Sequence, residues 1–120
     1  MSALVLFEVA GVKAALRATD VLEVVAVRDV TPVPAGPDFL AGVFAHRGAV
    51  VPLVDGAERL GGHRTSEPRR TGRALLLATQ LGPIGLTIDR IADVGDAGLE
   101  DHVLLDVEAL VHGCRGAVAA

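Results

Sequence analysis

The sequence predicts an all-β fold with two or three short helices, of the small barrel or sandwich kind. Three observations carry this. Apolar runs of five to eight residues recur at close spacing, and glycine or proline separates most of them. Hydrophobic residues make up 51% of the 120-residue chain, yet only three are aromatic, all Phe, so the core must be built from Val, Leu, Ile and Ala. The helix-like pieces, at TDVLEVV, DGAERLG and DVEALVHG, are all short.

Taken in order, residues 4–17, LVLFEVAGVKAALR, read as strand, Ala-Gly turn, strand. Val12, Ala14 and Leu16 alternate with Lys13, Ala15 and Arg17, a pattern that predicts one wet face. The next run, TDVLEVV, offers Thr19 or Asp20 as a cap. With Asp20 as cap, Glu23 falls where a capping box wants an acid, which predicts a short helix. Pro32, Pro34 and Pro37 then remove backbone donors and predict an extended edge or ordered loop.

Residues 42–55, GVFAHRGAVVPLVD, read as a β-hairpin turning at Arg47-Gly48, where Gly48 supplies a positive φ. Pro52 inside its second strand implies an edge position or a bulge. DGAERLG reads as one helical turn stopped by Gly61-Gly62. Residues 61–72 form a polar, glycine-rich linker within what is otherwise a single domain over 1–120. RALLLATQ and PIGLTID make a second hairpin about Leu81-Gly82-Pro83, with Ile84, Leu86 and Ile88 on one face. HVLLDVEALVHG is a short strand passing into a helix capped by Asp106 and closed by Gly113.

Composition excludes several functions. A net charge of −4 does not supply the positive surface that phosphate backbones need, and no aromatic groove exists to stack bases, so nucleic acid is not an expected partner. The one cysteine, Cys114, cannot staple the fold, and the start of the chain does not read as a signal peptide. The longest uncharged run is interrupted by Gly82-Pro83 and is too short to span a membrane, so a soluble cytoplasmic protein is expected.

Catalytic constellations are lacking. Ser2 and Ser66 lie in a terminal tail and in the linker, where nothing would hold a nucleophile. Cys114 follows His112 beyond a helix stop. The four histidines show no ligand spacing, and no phosphate-binding glycine motif occurs, so neither metal nor cofactor is expected. The acids Asp89, Asp93, Asp96, Glu100 and Asp101 read as loop charges, and Arg64, Arg69, Arg70 and Arg73 as a solvated basic stretch. A binding module, not an enzyme, is the expectation.

One co-linear set of motifs goes further. Val21-Leu22-Glu23-Val24, Thr31-Pro32-Val33-Pro34, Gly42-Val43, Arg47-Gly48 and Val51-Pro52-Leu53-Val54-Asp55 together resemble the CheW family of chemotaxis coupling proteins. The flanking strand pairs and the closing strand and helix fit more loosely, so nearly the whole chain is covered. The resemblance implies two small SH3-like five-stranded barrels sharing one hydrophobic core. It also implies a non-enzymatic adaptor joining the regulatory domain of a CheA-type histidine kinase to the cytoplasmic tip of chemoreceptors. The receptor contacts it implies are Val21, Glu23, Gly42 and Arg47. Each has a plainer alternative: core for Val21, helix capping for Glu23, packing for Gly42 and a solvated turn for Arg47.

The chain departs from the family pattern at Ala45, where an Asn is usual, and at His46, where an apolar residue is usual. A strand-bearing stretch between IADVGDAGLE and DHVLLDVEALV is also missing, which predicts an incomplete second barrel. Leu75–Ala78 or Ile84–Ile88 would then lack a partner. Either GLEDHVLLD folds in as cover, or a second copy (a homodimer by strand pairing) or the kinase lends a strand. A divergent module that binds only itself or one component is the competing reading of the function.

Overall fold

A computed structural model describes residues 3–34, 36–60, 72–95 and 101–112. Nine strands form two sheets. The larger has five strands, in the order β3-β6-β7-β5-β4: β3 (Val21–Val27), β4 (Leu40–His46), β5 (Ala49–Val54), β6 (Gly72–Thr79) and β7 (Gly82–Ile88). The smaller has four, in the order β8-β1-β2-β9: β1 (Leu4–Val9), β2 (Val12–Arg17), β8 (Arg90–Gly95) and β9 (Val103–Leu104). Two single-turn helices, α1 (Gly56–Arg59) and α2 (Val107–Leu110), follow β5 and β9.

Alternation along the strands sorts side chains into three apolar layers. Val5, Phe7 and Val9 of β1 meet Leu75 and Leu77 of β6 and Ile84, Leu86 and Ile88 of β7 in a core shared by both sheets. The opposite face of the five-stranded sheet encloses its own core of Val25, Val27, Phe44, Val51, Leu53 and Leu76. Among the described residues, the opposite face of the smaller sheet gathers Leu4, Leu6 and Ala15.

Several expectations change. TDVLEVV is not a helix: a 3₁₀ turn over Ala18–Asp20 leads straight into β3, because Val21, Val24, Val25 and Val27 are β-branched and Glu23, Val25 and Val27 alternate inward. Glu23 therefore caps nothing. In β2 the supposedly wet face is wet only at its ends, since Ala15 is buried against Leu4 and Leu6. The second hairpin turns one residue earlier, at Gln80-Leu81, with Thr79 opposite Gly82.

The strand-partner expectation is overturned as well. β6 pairs with β3 and β7, and β7 pairs with β6 and β5, so both expected orphans lie in the middle of the larger sheet. HVLLD does fold back, but onto the other lobe, where Val103 and Leu104 run parallel to Ala14 and Ala15 of β2.

β5 is an inner strand despite Pro52, and the ladder explains why. Val43 exchanges both backbone hydrogen bonds with Thr31, at 2.8 Å each, so its polar groups point away from β5. The Val43–Pro52 pair is therefore a non-hydrogen-bonded one, and the pairing of β5 with β7 begins only at Leu53. No donor is missed at Pro52. The same Thr31 bridge lays the proline-rich segment along the outer edge of β4, in agreement with its extended reading.

Helix α1 starts at Asp55, whose carboxylate accepts from the Ala57 and Glu58 amides, and α2 starts at Asp106, which accepts from Glu108. The helix stops at Gly61-Gly62 and Gly113, linker residues 61–71 and Cys114 lie outside the described residues, whereas Gly72, placed at the linker's end, begins β6.

Candidate functional site

The hairpin β4–β5 turns on Arg47 and Gly48, with φ of 50° and 80°. Two successive positive φ values are what a two-residue hairpin turn requires, and they match the twist of the flanking strands. Glycine adopts this freely. Arg47 does so at some cost, as non-glycine residues in this region do. The turn lifts Arg47 clear of the sheet, leaving its side chain 75% exposed.

Arg47 is not solvated alone. Its guanidinium forms an ion pair with Glu23, Nη1 lying 2.9 Å from Oε2, and donates one hydrogen bond, Nη2 to Oε1 at 3.2 Å. Such a fork on a carboxylate fixes geometry as well as charge. β3 and β4 are the two edges of the five-stranded sheet, and the pair joins them at the mouth of the lobe where no backbone ladder does. Glu23 faces inward, one alternation ahead of buried Val25, whereas Leu22 and Val24 face out and are exposed.

His46 completes the cluster. It shares the inward face of β4 with Phe44, its ring edge-on to the Phe44 ring at a centroid distance of 6.5 Å. Its Nε2 lies 3.6 Å from Glu23 Oε2, beyond hydrogen-bond length, and is shut off from solvent without a partner.

Of the four expected contact residues, the structure brings two together, Glu23 and Arg47. Val21 opens β3 two residues before Glu23 and is half-buried against the shared core. Gly42 is buried four residues before His46, roughly 13 Å along β4. On the strands that carry this pair, Leu22 and Val24 of β3 and Val50 of β5 are large hydrophobic residues left exposed.

Elsewhere the ionisable groups hold the fold. Asp89 accepts from the Ala10 amide in the β1–β2 turn, and Asp93 accepts from Val94. Glu8 pairs with Arg90 across β1 and β8. Arg59 donates to the carbonyls of Leu110 and Ala109 at 3.0 and 2.7 Å and stacks over Phe39, tying α1 to the end of α2. That strut is not legible from the sequence, because its hydrogen-bond partners are backbone atoms about fifty residues away. Among the described residues no group of three His, Cys, Asp or Glu side chains is placed to hold a metal ion.

Comparison with known proteins follows the same lines. Residues 3–102 match the model of the CheW-like domain. The chain is 35% identical over 81 residues to the chemotaxis protein CheW of Rhizobium meliloti (strain 1021), covering 61% of this chain and 50% of that protein. It is 31% identical over 84 residues to the CheW of Treponema pallidum (strain Nichols), covering 68% and 49%. Protein FrzA of Myxococcus xanthus is 31% identical over 116 residues, covering 86% and 72%. The chain thus spans about half the length of the two CheW relatives. The crystal structure of the scaffolding protein TtCheW from Thermoanaerobacter tengcongensis superposes with a TM-score of 0.77 at 21% identity, covering 92% of each chain. At that identity the likeness speaks for the fold.

Proposed function

The chain belongs to the CheW-like family, and from that membership we propose that it is a non-enzymatic adaptor that couples chemoreceptors to a CheA-type histidine kinase. The receptor tip contacts the Glu23–Arg47 end of the five-stranded lobe, and the regulatory domain of the kinase contacts a separate surface. The protein acts in the cytoplasm; no helix of the described residues is long and apolar enough to cross a membrane.

The observation that carries the receptor site is the Glu23–Arg47 pair. It is a guanidinium held by a carboxylate and three-quarters exposed, and the strands that carry the pair also expose Leu22, Val24 and Val50. An apolar surface edged by an oriented arginine suits a helical hairpin that carries an apolar stripe and an acid or a helix carbonyl. Val21 supports β3 from the core side, and Gly42 shapes β4 beneath the hairpin.

A second reading has an observation of its own. The smaller sheet has four described strands, and the last is only two residues long. A chain so built could serve as a divergent module that binds one component, or a second copy by strand pairing, without bridging receptor and kinase.

Co-sedimentation of the purified chain with a chemoreceptor cytoplasmic fragment and a CheA regulatory domain, separately and together, tests both. A ternary complex, with each component also binding alone, is the expected result. Binding to one component with no ternary complex would overturn the bridging role in favour of the second reading.

A further inference from the structure

Resting on the assignment of the Glu23–Arg47 end as the receptor site, we propose that His46 makes that site pH-responsive: protonation of its Nε2 draws the Glu23 carboxylate away from Arg47. Glu23 Oε2 is already placed between two nitrogens, Arg47 Nη1 at 2.9 Å and His46 Nε2 at 3.6 Å. The arginine contact is made. The histidine one is open by a few tenths of an ångström, and the Nε2 atom has neither water access nor any other partner.

A neutral imidazole has one donor and one acceptor nitrogen, whereas an imidazolium donates from both. Whichever nitrogen carries the hydrogen in the neutral ring, protonation leaves a charged donor on Nε2 facing a carboxylate, and the short gap closes. The charged group set against the ring is Glu23 from β3, and Arg47 from the turn shares that carboxylate. β5 places Ala49, Val50 and Val51 opposite the tip of β4, and the Phe44 ring lies alongside, all uncharged.

The cluster changes its net charge in the process. With His46 neutral, Glu23 and Arg47 cancel. With His46 protonated, one positive charge is in excess, and it is expressed at Arg47, the exposed member. Histidine is the side chain best suited to such a change of charge, and with His46 protonated the site becomes a better acceptor of an acidic receptor surface. The gain is screened by salt, as for any exposed charge.

Two measurements decide. In the free protein, the Arg47 Nε–H resonance is followed from pH 8 to pH 5.5 in wild type and in His46→Gln. The expected result is a shift in wild type that is absent in the variant. A wild-type resonance that stays fixed, or one that moves equally in His46→Gln, overturns the proposal. In the second measurement, affinity for a chemoreceptor cytoplasmic fragment is compared at pH 8 and pH 6. Wild type is expected to bind about three- to tenfold tighter at pH 6, and His46→Gln to show no such gain. Equal gains in both proteins would also overturn it. If the fragment binds at neither pH, the receptor assignment fails, while the Arg47 resonance still decides whether His46 and Arg47 compete for Glu23.

Discussion

Gly42 and Thr31 are packed backbone against backbone. A β-carbon on Gly42 would lie 2.8 Å from the Thr31 carbonyl carbon and closer still to its oxygen, and the φ of Gly42 is +150°. Space and torsion both exclude a side chain. Gly42→Ala is expected to destabilise the fold by roughly 2–4 kcal/mol, through lost packing and the Thr31–Val43 bridge beside it. Thermal melting checks this. If Gly42→Ala melts like wild type but loses receptor binding, the position acts at the surface and not in the packing.

Exchange of the charges at Glu23 and Arg47 separates clasp from contact. Arg47→Glu sets two carboxylates against each other, and a stability loss of about 1 kcal/mol is expected, as for a largely exposed pair. Receptor affinity should fall more than tenfold. The reversed pair, Glu23→Arg with Arg47→Glu, is expected to recover most of the stability and little of the affinity. Denaturant titration and a binding isotherm on the same samples check both halves. Recovery of affinity along with stability would show that the receptor reads the shape of the hairpin and not the position of the positive charge.

Arg59 is expected to matter for stability and not for binding. It serves two helix carbonyls and one aromatic face at once. Arg59→Ala should cost about 1–2 kcal/mol. Arg59→Lys should recover less than half, since an ammonium cannot present the planar fork that reaches both carbonyls. The midpoint of urea unfolding at constant slope reads this directly.

Asp55 is 2% exposed and caps α1 while its own amide donates to the Phe39 carbonyl at 2.7 Å. Asp55→Ala leaves two partly buried amides without an acceptor, and a loss of about 1–2 kcal/mol is expected. Asp55→Asn keeps the cap oxygen and should lose less. Equal losses in the two variants would show that charge, not capping, is what the position supplies.

Much of this was legible in the sequence, and the failures have physical causes. Ala10-Gly11 and Arg47-Gly48 were readable as turns because glycine is placed where φ must be positive, and both turns form. Asp106 was readable as a helix start because capping is local chemistry, and DGAERLG was readable as a single helical turn. Glu23 was misread because a capping spacing and a strand alternation coincide at Asp20–Glu23, and the β-branched run decides for the strand. The partners of β6 and β7 were beyond reach, since strand order depends on pairings far apart in sequence. His46 left a trace that alternation could have followed: two residues after Phe44, it had to face the same side.

The way the two sheets divide the chain bears on how it folds. β3 to β7 are consecutive, whereas the smaller sheet joins β1 and β2 to β8 and β9 across the whole of that span. The larger lobe can gather its interior from nearer contacts, while the smaller must wait for distant segments to meet, and long loop closures come late. Leu76→Ala, in the larger lobe, is therefore expected chiefly to slow refolding, and Leu6→Ala, in the smaller, chiefly to speed unfolding. Stopped-flow chevrons for the two variants distinguish this order from its reverse. The smaller sheet is then the part that forms last and opens first.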